Sequence, residues 1–197
     1  MVDEKNIEDI AEESEMIKPA IEALLFAAEQ PISFKTIQEI FIDTKREVLK
    51  EAIRMLKEEY SKSSKGIFLI EVSSGYQFRT KPEYKDHIIK LTKTKPARLS
   101  QSALEVLAII AYKQPIIKSE IEDIRGVDSS YVIRKLLEKS LIRIMGKKDI
   151  VGKPLLYGTT KEFLEIFSLK ALSSLPTLKN IKELEAGEVD DSQLSLL

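Results

Sequence analysis

Side chains able to do covalent or acid–base chemistry are sparse in this sequence. His87 is the only histidine, and there is no cysteine. Disulfides, thiolate metal sites and a Cys–His nucleophile are therefore excluded. A single imidazole titrates near neutrality, but His87 falls on a short helix with no metal-ligating neighbour and reads as a structural or surface residue. Glu58-Glu59 and Asp190-Asp191 pair carboxylates in polar stretches. Acid–base catalysis needs two such groups whose surroundings separate their pKa values, and no apolar pocket is signalled at either pair. Gly146 to Lys153 invites comparison with a phosphate loop. That motif has four residues between its first Gly and a Gly-Lys pair, then Ser or Thr. Here five residues intervene and Pro154 follows, so no hydroxyl is placed for magnesium. No catalytic, cofactor-binding or metal-binding residue is expected, and the chain reads as non-enzymatic.

What remains is organisation. The 197 residues are 43% hydrophobic and 32% charged, an ordinary globular balance. Residues 1–15 carry seven acids against one Lys, and residues 179–197 five acids against two Lys. The two stretches between them, 16–96 and 97–178, each carry a surplus of four positive charges. That surplus is milder than the basic footprint of a dedicated DNA-binding domain. The acidic start is no signal peptide, and no apolar run is long enough to cross a membrane. The absence of cysteine suits a cytoplasmic location.

Periodicity sets out the elements. Residues 1–15 read as an acidic flexible tail. A helix runs from Met16 to about Ala28 and stops before Pro31. Ser33 is an N-cap for a short second helix, and Thr44 with Glu47 forms a capping box for a third. Ile67 to Val72 and Tyr76 to Thr80 form a β-hairpin turned at Ser73-Ser74-Gly75. A short helix follows over Glu83 to Leu91, then a linker from Thr92 to Pro96. The second half repeats the order. Ala103 to Tyr112 forms a helix, and a short helix ends at Arg125-Gly126. Asp128 caps a third helix, Tyr131 to Lys139. Leu141 to Met145 and Leu155 to Gly158 are strands, and Thr159 with Glu162 caps the last helix. Residues 179–197 read as a flexible acidic tail.

A shift of 84 residues lays Ile21–Phe41 on Glu105–Arg125 without a gap. Ala27, Gln30, Pro31, Ile32, Ile37 and Ile40 fall on Ala111, Gln114, Pro115, Ile116, Ile121 and Ile124. One difference stands out: the counterpart of Ser33 is Ile117, so the second copy is expected to start its short helix late, capped by Ser119 and Glu122. Three helices followed by a two-stranded wing describe a winged helix. The fold class is mainly α with small β-hairpin wings, as two tandem winged-helix domains over 16–96 and 97–178.

The motifs Arg98-Leu99-Ser100-Gln101, Leu107 to Ile116, Ile124-Arg125-Gly126-Val127, Gly146 to Pro154 and Leu156-Tyr157-Gly158-Thr159-Thr160 closely resemble the bacterial segregation and condensation protein B family. Ile21 to Phe26 with Pro31-Ile32 agrees. Val151 and Ser168 stand where that pattern has Pro and Gly. The resemblance implies a subunit of the SMC–kleisin condensin-like complex, cytoplasmic and nucleoid-associated, acting in chromosome condensation and partitioning during cell division. It implies a homodimer joined through the first domain, binding of the kleisin segregation and condensation protein A, and contact with the SMC ATPase through the complex.

Two helices, Ala20 to Ala28 and Ala103 to Tyr112, are apolar beyond the single stripe a surface helix needs. Each is either the centre of its own domain or shares its burial with a partner, and the second reading is preferred. Ile21, Leu24, Leu25 and Phe26 are the candidates for the dimer interface. Tyr112, Arg134, Tyr157, Phe163 and Phe167 are the candidates for kleisin binding, because aromatics and Arg dominate interface energies. Arg134, Lys135 and Lys139 on the third helix read as a solvated face. Lys147, Lys148 and Lys153 on the wing are the candidate DNA contacts, under the alternative that the chain is a DNA-binding tandem winged-helix transcriptional regulator. Otherwise DNA is met only weakly or through the complex.

Overall fold

The computed structural model describes residues 4–92 and 99–176; the C-terminal stretch 179–197 and most of the expected linker lie outside these. The chain divides into two compact units between Thr94 and Lys95.

The first unit opens with α1, Glu4–Ala27. It begins well before Met16, so residues 4–15 are not a separate tail. Ser14 explains the extension. It is fully buried, and its Oγ lies 2.6 Å from the Ile10 carbonyl and 3.1 Å from the Val48 carbonyl on another helix. Pro19 lies inside the helix without ending it. After β1 (Ile32–Ser33) comes α2 (Phe34–Ile40), where Ser33 Oγ accepts from Thr36 N at 3.0 Å. The next helix, α3, is Arg46–Ser61; its N-cap is Lys45, with no side-chain cap bond, so the Thr44–Glu47 capping box is not formed.

β2 (Ile67–Val72) and β3 (Gly75–Thr80) pair in register from Ile67↔Thr80 to Val72↔Gly75. Ser73 and Ser74 both take positive φ, the pattern of a two-residue hairpin turn whose twist suits antiparallel strands. The wing is not two-stranded. β1 joins it through Ile32↔Tyr76 and Ser33↔Gly75, giving the order β1-β3-β2. A Cβ on Gly75 would lie 2.9 Å from the backbone C and O of Ile32, so this third strand depends on a glycine. A 3-10 turn at Pro82–Tyr84 leads into α4, Lys85–Thr92. The core gathers Ile21, Leu25, Ile37, Leu49, Ala52, Ile53, Leu56, Tyr60 and Leu69.

The second unit repeats the plan. α5 is Gln101–Lys113, with Ser100 Oγ accepting from Ala103 N at 3.2 Å. β4 (Ile116–Ile117) leads into α6 (Lys118–Arg125). This helix does not start late. Glu120 Oε2 accepts the Ile117 N–H at 3.1 Å, so a carboxylate inside the helix does what the missing Ser33 counterpart would have done. Gly126, at φ 72°, closes α6 with its N–H on the Glu122 carbonyl at 2.8 Å, as a left-handed C-terminal residue should.

α7 is Ser130–Glu138. Its N-cap is Ser129, while Asp128 accepts from Ser130 N at 3.3 Å from one residue further out. β5 (Ile142–Lys147) and β6 (Leu155–Thr159) form the wing, with a bulge between Ile144 and Gly146. β4 pairs with β6 through Ile116↔Tyr157, giving the order β4-β6-β5. α8, Lys161–Ile166, is capped by Thr160 rather than Thr159, its Oγ1 accepting from Phe163 N at 3.1 Å. A short 3-10 turn, Leu172–Ser174, follows.

Candidate functional site

The face of α1 turned away from its core is the first candidate. Side chains three or four residues apart share a helix face. Ile21 and Leu25 point inward and are 0% and 2% exposed. Leu24 is half-buried against the same core. These three pack within their own domain, so the expectation that they meet a partner is corrected. Phe26 is 78% exposed and Met16 71%. Ala20, Ala23 and Ala27 lie exposed between and beside them. The helix is thus apolar on two faces, and only one has a partner within the domain. Met16 was missed because a helix begun there makes it an end residue.

α5 behaves differently. Ala103, Val106, Leu107, Ile110 and Ala111 are all buried within the second unit. Its excess of apolar residues is absorbed by its own domain. Tyr112 sits at its end, partly exposed, and its hydroxyl donates to the Pro176 carbonyl at 2.7 Å.

The remaining candidates divide in the same way. Tyr157 and Phe163 are core residues, and Phe167 packs on Phe163 with ring centres 4.9 Å apart. None of the three offers the free aromatic anchor expected of it. Arg134 is exposed on α7. Lys147 and Lys153 are exposed on the wing, but Lys148 is tied to Glu120 at 2.5 Å. That ion pair, with the Ile117 backbone bond, holds Glu120 below the usual carboxylate range. Sequence reasoning missed the exposed apolar residues around these charges. Ile124, Val127 and Tyr131 stand at the α6–α7 corner, and Ile144, Met145, Ile150 and Val151 on the wing. Val127 and Ile150, single apolar residues after a Gly and an Asp, carry no periodic signal. A wing tip bearing Ile150 and Val151 beside Asp149 is poorly suited to phosphate.

Arg125 builds the corner. Its guanidinium donates to Ser129 Oγ at 2.9 Å and Ser102 Oγ at 2.7 Å, and meets Glu105 at 3.2 Å. It therefore ties α5 and α6 to the residue that starts α7. Asp128 beside it is depressed to about 2, first by the Ser130 hydroxyl and backbone N–H, with Lys118 adding to the effect. His87 is exposed on α4. Among the described residues no cluster of His, Asp and Glu is placed to hold a metal, and no helix is long and apolar enough to cross a membrane.

Residues 19–178 match the family described as segregation and condensation complex subunit ScpB. The chain belongs to the ScpB family. Segregation and condensation protein B of Syntrophotalea carbinolica is 47% identical over 168 residues, covering 85% of each chain. The homolog from Coxiella burnetii is 41% identical over 186 residues, 91% of this chain and 88% of that one. A solved structure described as a dimer of the ScpB N-terminal domain complexed with ScpA peptide is 27% identical, covers 39% of this chain and 95% of that one, and has a TM-score of 0.36. The family is described as a subunit of a segregation and condensation complex, so faces rather than cavities are the features to explain.

Proposed function

We propose that the chain is a non-enzymatic, homodimeric subunit of the SMC–kleisin condensin-like complex. In this reading the first domain joins two copies, and the second holds the kleisin segregation and condensation protein A. The assembly works with the SMC ATPase in chromosome condensation and partitioning during cell division, in the cytoplasm at the nucleoid. DNA is reached through the complex.

The observation that carries this reading is the outward face of α1. Met16 and Phe26 are about 15 Å apart along the helix, with the short side chains Ala20 and Ala23 between them. Short residues let two helices approach closely. A two-fold axis presents the same patch on both copies, and an antiparallel pairing sets each Phe26 against the partner's Met16 end. Burying each large side chain contributes about 1.5–3 kcal/mol, which two exposed ends otherwise forgo. For the kleisin, the second domain offers Arg134 and Tyr131 on α7 with Ile124 and Val127 at the corner, the Arg and aromatic mix found at interface centres.

Light scattering tests both halves. The wild-type chain should run at twice its 22.4 kDa mass and gain mass with a kleisin fragment. Phe26→Asp should run as a folded monomer. A wild-type monomer that fails to retain the kleisin would sink the proposal.

A further inference from the structure

The wing of the second domain is both greasy and cationic. β5 and the turn after it expose Ile144, Met145, Ile150 and Val151. Arg143, Lys147 and Lys153 are exposed there too, with no ion pair among the described residues. β5 is also an edge strand of its sheet, so one side of its backbone is unpaired. The sequence beyond the described residues has the complementary character. Glu183 to Leu197 holds Glu183, Glu185, Glu188, Asp190 and Asp191, no basic residue, and the apolar Leu184, Val189, Leu194, Leu196 and Leu197.

The two are close in the chain's own geometry. Leu172, four residues before Pro176, lines one cleft with Arg143 at the foot of β5, together with Thr160 and Leu164. Eighteen residue steps lead from Pro176 to Leu194. Fully extended they reach about 60 Å, well beyond the roughly 25 Å width of a domain of this size. A segment tethered this near meets the wing at high effective concentration.

We propose that the acidic, apolar segment Glu183–Leu197 docks in cis on the wing of the second domain, its leucines on Ile144, Met145, Ile150 and Val151 and its acids against Arg143, Lys147 and Lys153. This does not depend on the proposed dimer or on kleisin binding.

The absence of cysteine allows a direct test in the full chain. Val151→Cys with Leu194→Cys leaves two thiols in the molecule. Under mild oxidation they should close a disulfide within one chain, about tenfold faster than Leu194→Cys paired with Asp123→Cys, which carries the same tether to a different surface. Adding Asp190→Lys and Asp191→Lys, or raising salt, should slow closure toward the control. Equal rates for the two pairs would overturn the proposal. So would a product linking two chains, which would place the segment on a neighbouring copy.

Discussion

Gln114 grips Thr159 at both ends of its amide: Oε1 accepts the Thr159 backbone N–H at 2.8 Å, and Nε2 donates to Thr159 Oγ1 at 3.0 Å. One side chain thus holds the end of α5 to the last residue of β6. Thr159 is itself buried, so its N–H has no ready access to water. Gln114→Ala should destabilise the second domain by about 1–3 kcal/mol, the cost of a buried donor left without a partner. Urea unfolding should show a lower midpoint at unchanged slope; an unchanged midpoint would mean that water replaces the amide.

Two substitutions on α1 should have opposite consequences. Ile21→Ala removes fully buried core atoms and should cost about 2–5 kcal/mol, while leaving the assembly state of the remaining folded protein unaltered. Phe26→Asp changes an exposed side chain and should alter the monomer's stability by about 0.5 kcal/mol or less, while lowering the mass seen by light scattering. The pair separates core from interface on a single helix.

Gly75→Ala should cost about 1–3 kcal/mol by overpacking. The added methyl would meet the Ile32 backbone, which has no side-chain freedom to yield. Hydrogen exchange should quicken at the backbone where β1 meets β3 before it does in α3.

Tyr60 gives the first domain an alkaline limit. Its hydroxyl donates to Glu22, and this bond, followed by burial, raises the phenol to about 12. A phenol raised on folding contributes stability that is complete below its unfolded value near 10 and is lost as pH climbs toward 12. Wild-type stability should therefore fall across that window, and Tyr60→Phe should flatten the fall. A parallel decline in both proteins would assign the alkaline limit elsewhere.

The wing lysines supply a test against the transcriptional-regulator reading. If Lys147, Lys148 and Lys153 gripped phosphates, duplex affinity would fall steeply with salt, each contact adding about 0.9 to the slope. Without partners, the isolated chain should bind duplex DNA no tighter than about 0.1 mM at physiological salt, and Lys147→Ala with Lys153→Ala should change little. Steep salt dependence that these substitutions abolish would favour the regulator.

Helix periodicity and the 84-residue shift made the order of the larger elements legible. The two-residue strands were not, because Ile32-Ser33 and Ile116-Ile117 are too short to show alternation; only the matching Pro-Ile pairs hinted that they share a role. Caps slipped by a residue where hydroxyls stand side by side, as at Thr159 and Thr160, since composition does not say which one faces the helix. The site candidates divided for a related reason. Tyr157 and Phe163 have the chemistry of interface residues and the positions of core residues. Helix amphipathicity places Phe26 on the side of the helix away from Ile21 from sequence alone, whereas nothing periodic marks Ile150 or Val151.

The small strands β1 and β4 also change what kind of object each wing is. A hairpin attached only at its two ends is a flap with a hinge. Here β3 and β6 each lie between two neighbours, and the third strand leads straight into the short second helix of its domain. Tension on a wing therefore enters the helical body through a backbone seam as well as through the chain ends. Such a wing behaves as a bracket rather than a flap.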